Sequence, residues 1–461
     1  MRLYPKEVEL KPDEGFTPPK DIFGRKSFGD QLTRIVKSLE GPSVLLLDAP
    51  WGSGKTTFLR MWRGELTKEG VSCTYFDAFA NDYQEDAFLA FASQIIEEAD
   101  ERAPNSKAIK DFKTKAFQVA KILGRAALRV SVHALSAGMV QGEALEKAAE
   151  SIAKDAGDET ANALDEVLKA RLENHASDRK IFEEFRLALS TLASDLSSSK
   201  KNYNAEQSLQ NTSATPLVFI IDELDRCRPS FALEILEKVK HFFSVPNVVF
   251  ILVSSLPQLQ AMVKYNYGDI DALTYLEKFY HLRILFPSGR SDRLDLGAAT
   301  YLNYIGCPAA VSKVIALFCQ VHPLSFRQLE RIAAYAKIVS ISSPPNALVL
   351  PQIIALLCIL KTVRPDLYAA ARGGKISYKM VEAFFNFDTW RNPHDPSQRD
   401  GTGENVENWW RIALNEINNE ELAREYFKSL GQYYMNAPSS IIPNFCDLMD
   451  GFSFPDQRTD A

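Results

Sequence analysis

The apolar run Val44-Leu-Leu-Leu-Asp48 leads straight into Ala49-Pro-Trp-Gly-Ser-Gly-Lys-Thr56, and this junction limits the fold more than anything else in the chain. A short apolar run of this kind suits a strand buried on both faces of a parallel sheet. The turn after it is glycine-rich, and residues 55–68 carry a helical pattern. Gly52 and Gly54 let the backbone bend so that successive N–H groups point inward at an anion. Lys55 brings a mobile cation, Thr56 a hydroxyl suited to a hard divalent ion, and the helix directs its positive dipole end to the same point. The loop fits GxxxxGK[ST] except that Ala49 holds the first position. The predicted contacts to a phosphate chain are Ala49, Pro50, Trp51, Gly52, Ser53, Gly54, Lys55, Thr56 and Thr57, with Thr56 also a metal ligand.

A second run, Leu217-Val-Phe-Ile-Ile-Asp222-Glu223, is an apolar strand that ends in two carboxylates. At the carboxyl edge of a parallel sheet such groups face the ligand crevice. Asp222 is placed to hold Mg²⁺ and Glu223 to polarise an attacking water; Lys55, Asp222 and Glu223 form the catalytic set. Further strands are expected at 72–76, 248–254 and 282–286, with helices at 26–39, 85–100 and 231–243. Strands alternating with helices imply an α/β fold with a parallel sheet covered on both faces. Ser254 or Ser255, closing its strand, reaches either the terminal phosphate or nothing in particular. Asp225 and Arg226 either order the site or make a salt bridge capping the helix at Phe231. Arg327 and Arg331 share a helix face, from which one can touch the nucleotide or both can face solvent.

Between the second and third strands lie more than 100 residues of helical pattern, and their charge is polarised. Residues 103–142 hold seven basic residues and one acid, whereas 143–166 hold eight acids and two lysines. Two antiparallel helices that neutralise each other are expected; the competing reading is a basic face of Lys113, Lys121, Arg125 and Arg129 that meets an anionic partner. The chain as a whole has 53 basic against 59 acidic residues, which argues against wholesale coating of nucleic acid. Residues 1–16 lack an apolar stretch, no apolar run is long enough to span a bilayer, and the six cysteines lie far apart. A cytoplasmic chain with reduced thiols is expected. After Pro287 the pattern is helical to the end, with breaks near 342–346, 373–374 and 392–403, and it is acidic from 391 onward. The domains are read as a lead-in over 1–20, a core over 21–96 and 206–290, a helical insert over 97–205, a helical sensor unit over 291–390 and an acidic helical region over 391–461.

Asp222-Glu-Leu-Asp-Arg-Cys227 resembles the signature of the KAP family of P-loop NTPases, and Trp51-Gly-Ser-Gly-Lys-Thr-Thr57 is similar to that family's phosphate loop. Tyr75-Phe-Asp-Ala-Phe79, Tyr275-Leu-Glu-Lys-Phe279 and Pro323-Leu-Ser-Phe-Arg-Gln-Leu-Glu-Arg331 resemble further family boxes in the expected order. The likeness spans roughly 21–335, with the insert as a gap. It departs at Ala49, at Asp77 where asparagine is usual, and in an insert interrupted by Lys121, Arg125 and Arg129 where many members carry membrane-spanning helices. The resemblance implies a three-layer sandwich with strand order 5-1-4-3-2, a sensor arginine, and ATP with Mg²⁺. It also implies a bacterial setting that includes phage exclusion. The expected activity is ATP hydrolysis that switches or assembles a protein partner or effector subunit, homo-oligomerisation being left open. A nucleotide-gated scaffold with little turnover and a nucleic-acid-stimulated ATPase are the alternatives.

Overall fold

The computed structural model describes residues 10–136 (save 12, 19, 40, 85 and 105), 159–198, 215–287, 294–343, 349–392, 395–417, 424, 426 and 438–450. The first half runs α1 (Lys26–Ser38), β1 (Ser43–Asp48), α2 (Lys55–Lys68), β2 (Cys73–Asp77), α3 (Ala87–Arg102), α4 (Lys107–Ser136) and α5 (Glu159–Ser198). It continues with β3 (Leu217–Asp222), α6 (Pro229–Lys238), β4 (Val248–Ser254), α7 (Leu256–Tyr267), α8 (Ala272–Leu276) and β5 (Leu282–Leu285). The five strands are parallel in the order β2-β3-β4-β1-β5, the arrangement the resemblance implies, read from the other edge.

Strand periodicity sends alternate side chains to opposite faces and so builds three layers. Leu45, Leu47, Val218, Ile220, Val249 and Ile251 pack against α1 and α2 through Leu32, Val36, Phe58 and Trp62. On the other face Leu46, Phe219, Ile221, Phe250 and Leu252 meet α3, α4, α5, α6 and α7. The expected elements fall within a few residues of those observed. Helix α3 begins where Asp86 accepts hydrogen bonds from the Phe88 and Leu89 N–H groups, a side-chain cap that satisfies two of the helix's free donors.

The insert helices are held to the sandwich by aromatic packing. Phe185 of α5 is fully buried, with ring centroids 5.3 Å from Phe88 and from Phe112 and 5.5 Å from Phe243. The described ion pairs of α4 involve other acids. Lys115 of α4 pairs with Glu184 of α5 at 2.6 Å, and Lys113 pairs with Asp100 of α3 at 2.6 Å. Neither acid belongs to the 143–166 block, of which 143–158 lie outside the described residues, as do the side chains of Arg125 and Arg129. Lys121 is exposed.

The second half is built from α9 (Leu294–Tyr304), α10 (Ala309–Val321), α11 (Phe326–Ser342), α12 (Pro351–Val363), α13 (Pro365–Arg372) and α14 (Tyr378–Phe385). After them come β6 (Arg391–Asn392), β7 (Asp395–Arg399), α15 (Gly401–Ala413) and α16 (Ile441–Asp450). The antiparallel β6–β7 pair falls at the break expected near 392–403 in the otherwise helical second half, where no strand was expected. It falls where Pro393 and Pro396 deny a helix its N–H donors. One hydrophobic core spans the 390 line on which the sequence reading divides this half: Leu302, Phe318 and Leu357 share it with Trp390, Trp410 and Phe445.

The insert packing generates a contrast in magnitude. Phe185→Ala is expected to cost about 3–5 kcal/mol in urea unfolding. Removing the half-buried Lys115–Glu184 pair as a double Ala variant is expected to cost far less than that.

Candidate nucleotide-binding site

The site forms where β1 and β3 end, on either side of β4. Gly52 and Gly54 adopt φ of 74° and 78°, and Gly54 is the N-cap of α2, so the loop turns sharply and delivers Lys55 and Thr56 as the first helical residues. A Cβ on Gly52 would stand 3.2 Å from the Cβ atoms of both Ser325 and Arg327. The Phe326 N–H donates to the Gly52 carbonyl at 2.8 Å, so the start of α11 closes over the loop. That helix is fixed by a capping box in which Ser325 and Gln328 exchange hydrogen bonds.

The carboxylates of β3 converge on the same place. The Thr56 hydroxyl lies 2.9 Å from Asp222 Oδ2 and 3.1 Å from Glu223 Oε1. Tyr75, from the neighbouring β2, donates to Asp222 Oδ2 at 2.9 Å, and the Glu223 N–H donates to Asp222 Oδ1 at 2.8 Å. Glu223 takes φ of 60°, a conformation uncommon for residues other than glycine, which turns its side chain toward the loop rather than along the strand. Its carboxylate pairs with Arg226. Burial pushes the Asp222 carboxyl above its ordinary range, opposed by hydrogen bonds from Tyr75, the Glu223 N–H and Thr56. Burial likewise raises Glu223, and the nearby Asp222 charge adds to the shift, against a lowering by Arg226. A raised carboxyl holds its proton more readily, which suits a group that must accept one from water.

Asp225 sits at the centre of the arrangement. Its Oδ2 accepts from Trp51 Nε1 at 2.7 Å and from the Ser255 N–H at 2.9 Å, and it lies 3.4 Å from Lys55 Nζ. Lys55 also donates to the Ala49 carbonyl at 3.1 Å. Of the two readings of Asp225, the site-ordering one matches this geometry; α6 is capped by Arg228 with no side-chain hydrogen bond.

A cavity of about 320 Å³ opens beside the loop. Its lining includes polar groups from Ser53, Lys55, Thr56, Thr57, Glu223 and Arg226 and aromatic rings from Phe23, Tyr301, Tyr304 and Phe326. Arg25 lines it as well, its guanidinium 4.5 Å from the Phe286 ring centroid and 5.3 Å from that of Phe23. Burial lowers Arg25 to about 10, so it remains a cation at neutral pH. Of the two candidate sensor arginines, Arg327 lines the cavity, whereas Arg331 is exposed and outside the lining. Ala49 is buried behind the loop, Pro50 is exposed, and Trp51 is partly exposed. The hydroxyls of Ser53 and Ser254 are buried with no hydrogen-bond partner among the described residues. Asp77 accepts from the Ala80 N–H in the turn after β2 and is the register partner of Asp222 on the neighbouring strand.

Sequence reasoning missed Tyr75 as a partner of Asp222, the Trp51–Asp225 bond, and the aromatic wall. The wall is drawn from residues about 300 positions apart, and no local pattern signals it. Also missed was Asp48, which closes β1 by accepting from the Leu256 N–H at 2.9 Å and from Arg283 at 2.6 Å.

A family model described as the KAP family P-loop domain matches residues 25–295. The chain belongs to the KAP family. The match takes in the loop, Asp222, Glu223 and the whole sheet. Among solved structures, the chain is similar to the Aeropyrum pernix ORC2 protein in ADPNP-ADP complexes. That likeness has 12% identity and a TM-score of 0.34, covering 95% of this chain and 97% of that one. No curated protein sequence matches. Many KAP-like chains are expected to carry membrane-spanning helices in the insert; here no described helix is long and apolar enough to cross a membrane.

Two stability predictions follow from the buried charges. Lys55→Ala strands the Asp225 carboxylate and is expected to cost about 3 kcal/mol, the scale for breaking a buried ion pair; adding Asp225→Asn should recover most of it in denaturant titrations. For Asp222 the folded value is raised, so its ionisation opposes folding at neutral pH and the penalty vanishes below the ordinary carboxylate range. Asp222→Asn is therefore expected to raise the nucleotide-free Tm at pH 7, with the gap over wild type closing as the pH falls below about 4.

Proposed function

We propose that this KAP chain binds ATP with Mg²⁺ and hydrolyses it, and that the cycle switches or assembles a protein partner. The observation that carries the reading is that the Thr56 hydroxyl meets both Asp222, at 2.9 Å, and Glu223, at 3.1 Å, beside a loop with Lys55 at its end.

The donor set fits Mg²⁺. Thr56 and Asp222 offer hard oxygens on one side of the loop, the kind of ligand that ion takes together with water and phosphate. When bound there, Mg²⁺ supplies neutralisation of the triphosphate's charge. The remaining work falls to the chain. The loop's N–H groups and Lys55 hold the phosphates, the orphaned Ser53 hydroxyl has a donor to give them, and Glu223 accepts a proton from the attacking water. Ser254, with its free hydroxyl at the end of β4, is assigned to the terminal phosphate or that water. Arg327 is assigned the sensor role in preference to Arg331 because it lines the cavity. The aromatic wall suits the face of a purine base.

The alternative of a gated scaffold with slow turnover has one observation in its favour. In this state Glu223 is engaged by Arg226 and Thr56, so it must be released before it can serve as a base. The wider setting is inferred from family resemblance alone: a cytoplasmic protein acting with an effector subunit in anti-phage defence.

Calorimetry and phosphate release separate binding from hydrolysis. Wild type is expected to bind ATP in the presence of Mg²⁺. Lys55→Ala, made together with Asp225→Asn to keep the fold, is expected to lose that binding. Glu223→Gln is expected to retain binding while turnover falls by about 10²–10⁴-fold, the range for a lost general base. Equal turnover in Glu223→Gln and wild type would remove the assigned base, and unchanged binding without Lys55 would remove the site.

A further inference from the structure

Asp225 does more in this structure than a residue that merely caps a strand. Its side chain is fully buried, yet it is ionisable and stands behind the phosphate loop rather than within it. One oxygen, Oδ2, takes three donors from three separate segments: Trp51 of the loop, Lys55 at the start of α2, and the Ser255 N–H where β4 passes into α7. The other oxygen, Oδ1, is buried with no hydrogen-bond partner among the described residues. A carboxylate so poorly served on one side depends on the Lys55 cation for its stability. Yet Lys55 is held at 3.4 Å, near the outer limit of a hydrogen bond, while the neutral Trp51 indole is held at 2.7 Å. The cation is loosely held and the indole tightly held.

We propose that Asp225 is a positioning residue that competes with nucleotide phosphate for Lys55 and couples occupancy of the loop to the position of Trp51. The proposal rests on the reading of the loop as a nucleotide site. An arriving phosphate chain draws Lys55 toward itself and away from Asp225. The carboxylate then leans more heavily on Trp51 and on the Ser255 N–H, which adjoins Ser254. Two opposite consequences follow. Removing the charge at 225 frees Lys55 for phosphate, so nucleotide binds more tightly. Removing the indole donor leaves the carboxylate with one fewer partner and strengthens its hold on Lys55, so nucleotide binds more weakly. A role confined to structural support would shift both variants in the same direction.

Trp51 also provides its own reporter. It is 45% exposed, whereas Trp62, Trp390 and Trp410 are 0% exposed and Trp409 7%, so iodide quenching of tryptophan emission reads Trp51. The experiment compares the full-length wild type with Asp225→Asn and Trp51→Phe, by calorimetry with ATP and with ADP in Mg²⁺, and by iodide quenching without nucleotide. Asn at 225 keeps an oxygen for Trp51 and Ser255 while losing the charge. It is expected to bind both nucleotides on the order of tenfold more tightly, as expected for deleting one nearby like charge in a partly screened site. Trp51→Phe is expected to bind severalfold more weakly. In wild type, nucleotide is expected to change the iodide quenching of Trp51; in Asp225→Asn, quenching without nucleotide is expected to rise and its response to nucleotide to shrink.

If wild type binds nucleotide and the two variants match it, or both bind more weakly, the proposal is overturned while the reading of the site stands. If wild type binds no nucleotide, both are overturned. Should Asp225→Asn fail to fold, wild-type quenching decides: a change in iodide quenching of Trp51 on nucleotide binding supports the coupling, and no change refutes it.

Discussion

The site depends on a span across one strand. β3 and β1 are not neighbours; β4 lies between them, so their ends stand about 10 Å apart at ordinary sheet spacing. Only side chains can bridge that crevice. Thr56 reaches Asp222 and Glu223 from the first turn of α2, and Asp225 reaches back from the turn after β3 to Trp51 and Lys55. The β4 end contributes the Ser255 N–H to the same carboxylate. Three parallel strands are thus tied together at their carboxyl edge by polar bonds, while apolar packing on the two faces holds them elsewhere. Any shift of β3 along the sheet would carry its carboxylates out of reach of Thr56, so the register of β3 on β4 and of β4 on β1 sets the chemistry.

The helical half closes this crevice from outside. Its contact with the loop runs through the start of α11, where the Phe326 N–H meets the Gly52 carbonyl and the Phe326 ring stacks on Phe23 at 4.3 Å. Phe23 precedes α1 and belongs to the lead into the sandwich, so one aromatic pair joins the two halves at the cavity wall. Glycine at 52 is required twice over, by its positive φ and by the Ser325 and Arg327 side chains that a Cβ would crowd. The closeness of the loop to α11 means that a change in loop conformation must be felt at the helical half. This contact gives a hydrolytic cycle a direct route to a larger movement.

How much of this was legible in the sequence follows from the range of the interactions. The sheet was readable because each strand is a short apolar run and each crossover is a helix, and both patterns are local. The loop was readable because its glycines, Lys55 and Thr56 are consecutive. Asp222 and Glu223 were readable from their place at a strand end. Tyr75 was not, because its bond to Asp222 crosses from β2 to β3 and tyrosine alone carries no signal of an acidic partner. The pairing expected between the insert's charge blocks falls largely outside the described residues. The described ion pairs of α4 reach Glu184 and Asp100, and aromatic packing around Phe185 holds the helices down. Charge composition records what is present on a helix; it does not record which neighbour the apolar face selects. The break near 392–403 was readable, but the β6–β7 pairing within it was not, because strands of two and five residues are too short to show a period.

The electrostatics of the crevice supply the last step. Asp222, Glu223 and Asp225 occupy four consecutive positions with Leu224 and are all at most 7% exposed. Lys55 and Arg226 are their close cationic partners among the described residues. Burial makes each carboxylate costly unless it is paired. The cluster is therefore short of positive charge before any phosphate enters, and a bare triphosphate would add to the deficit. On the proposed reading, a divalent cation held by Thr56 and Asp222 would reverse that balance, so metal and nucleotide would favour each other's binding. Arg25 and Arg327 line the same cavity and add two further cations to it. Asp225, 3.4 Å from Lys55, is placed to temper that lysine's grip on an anion.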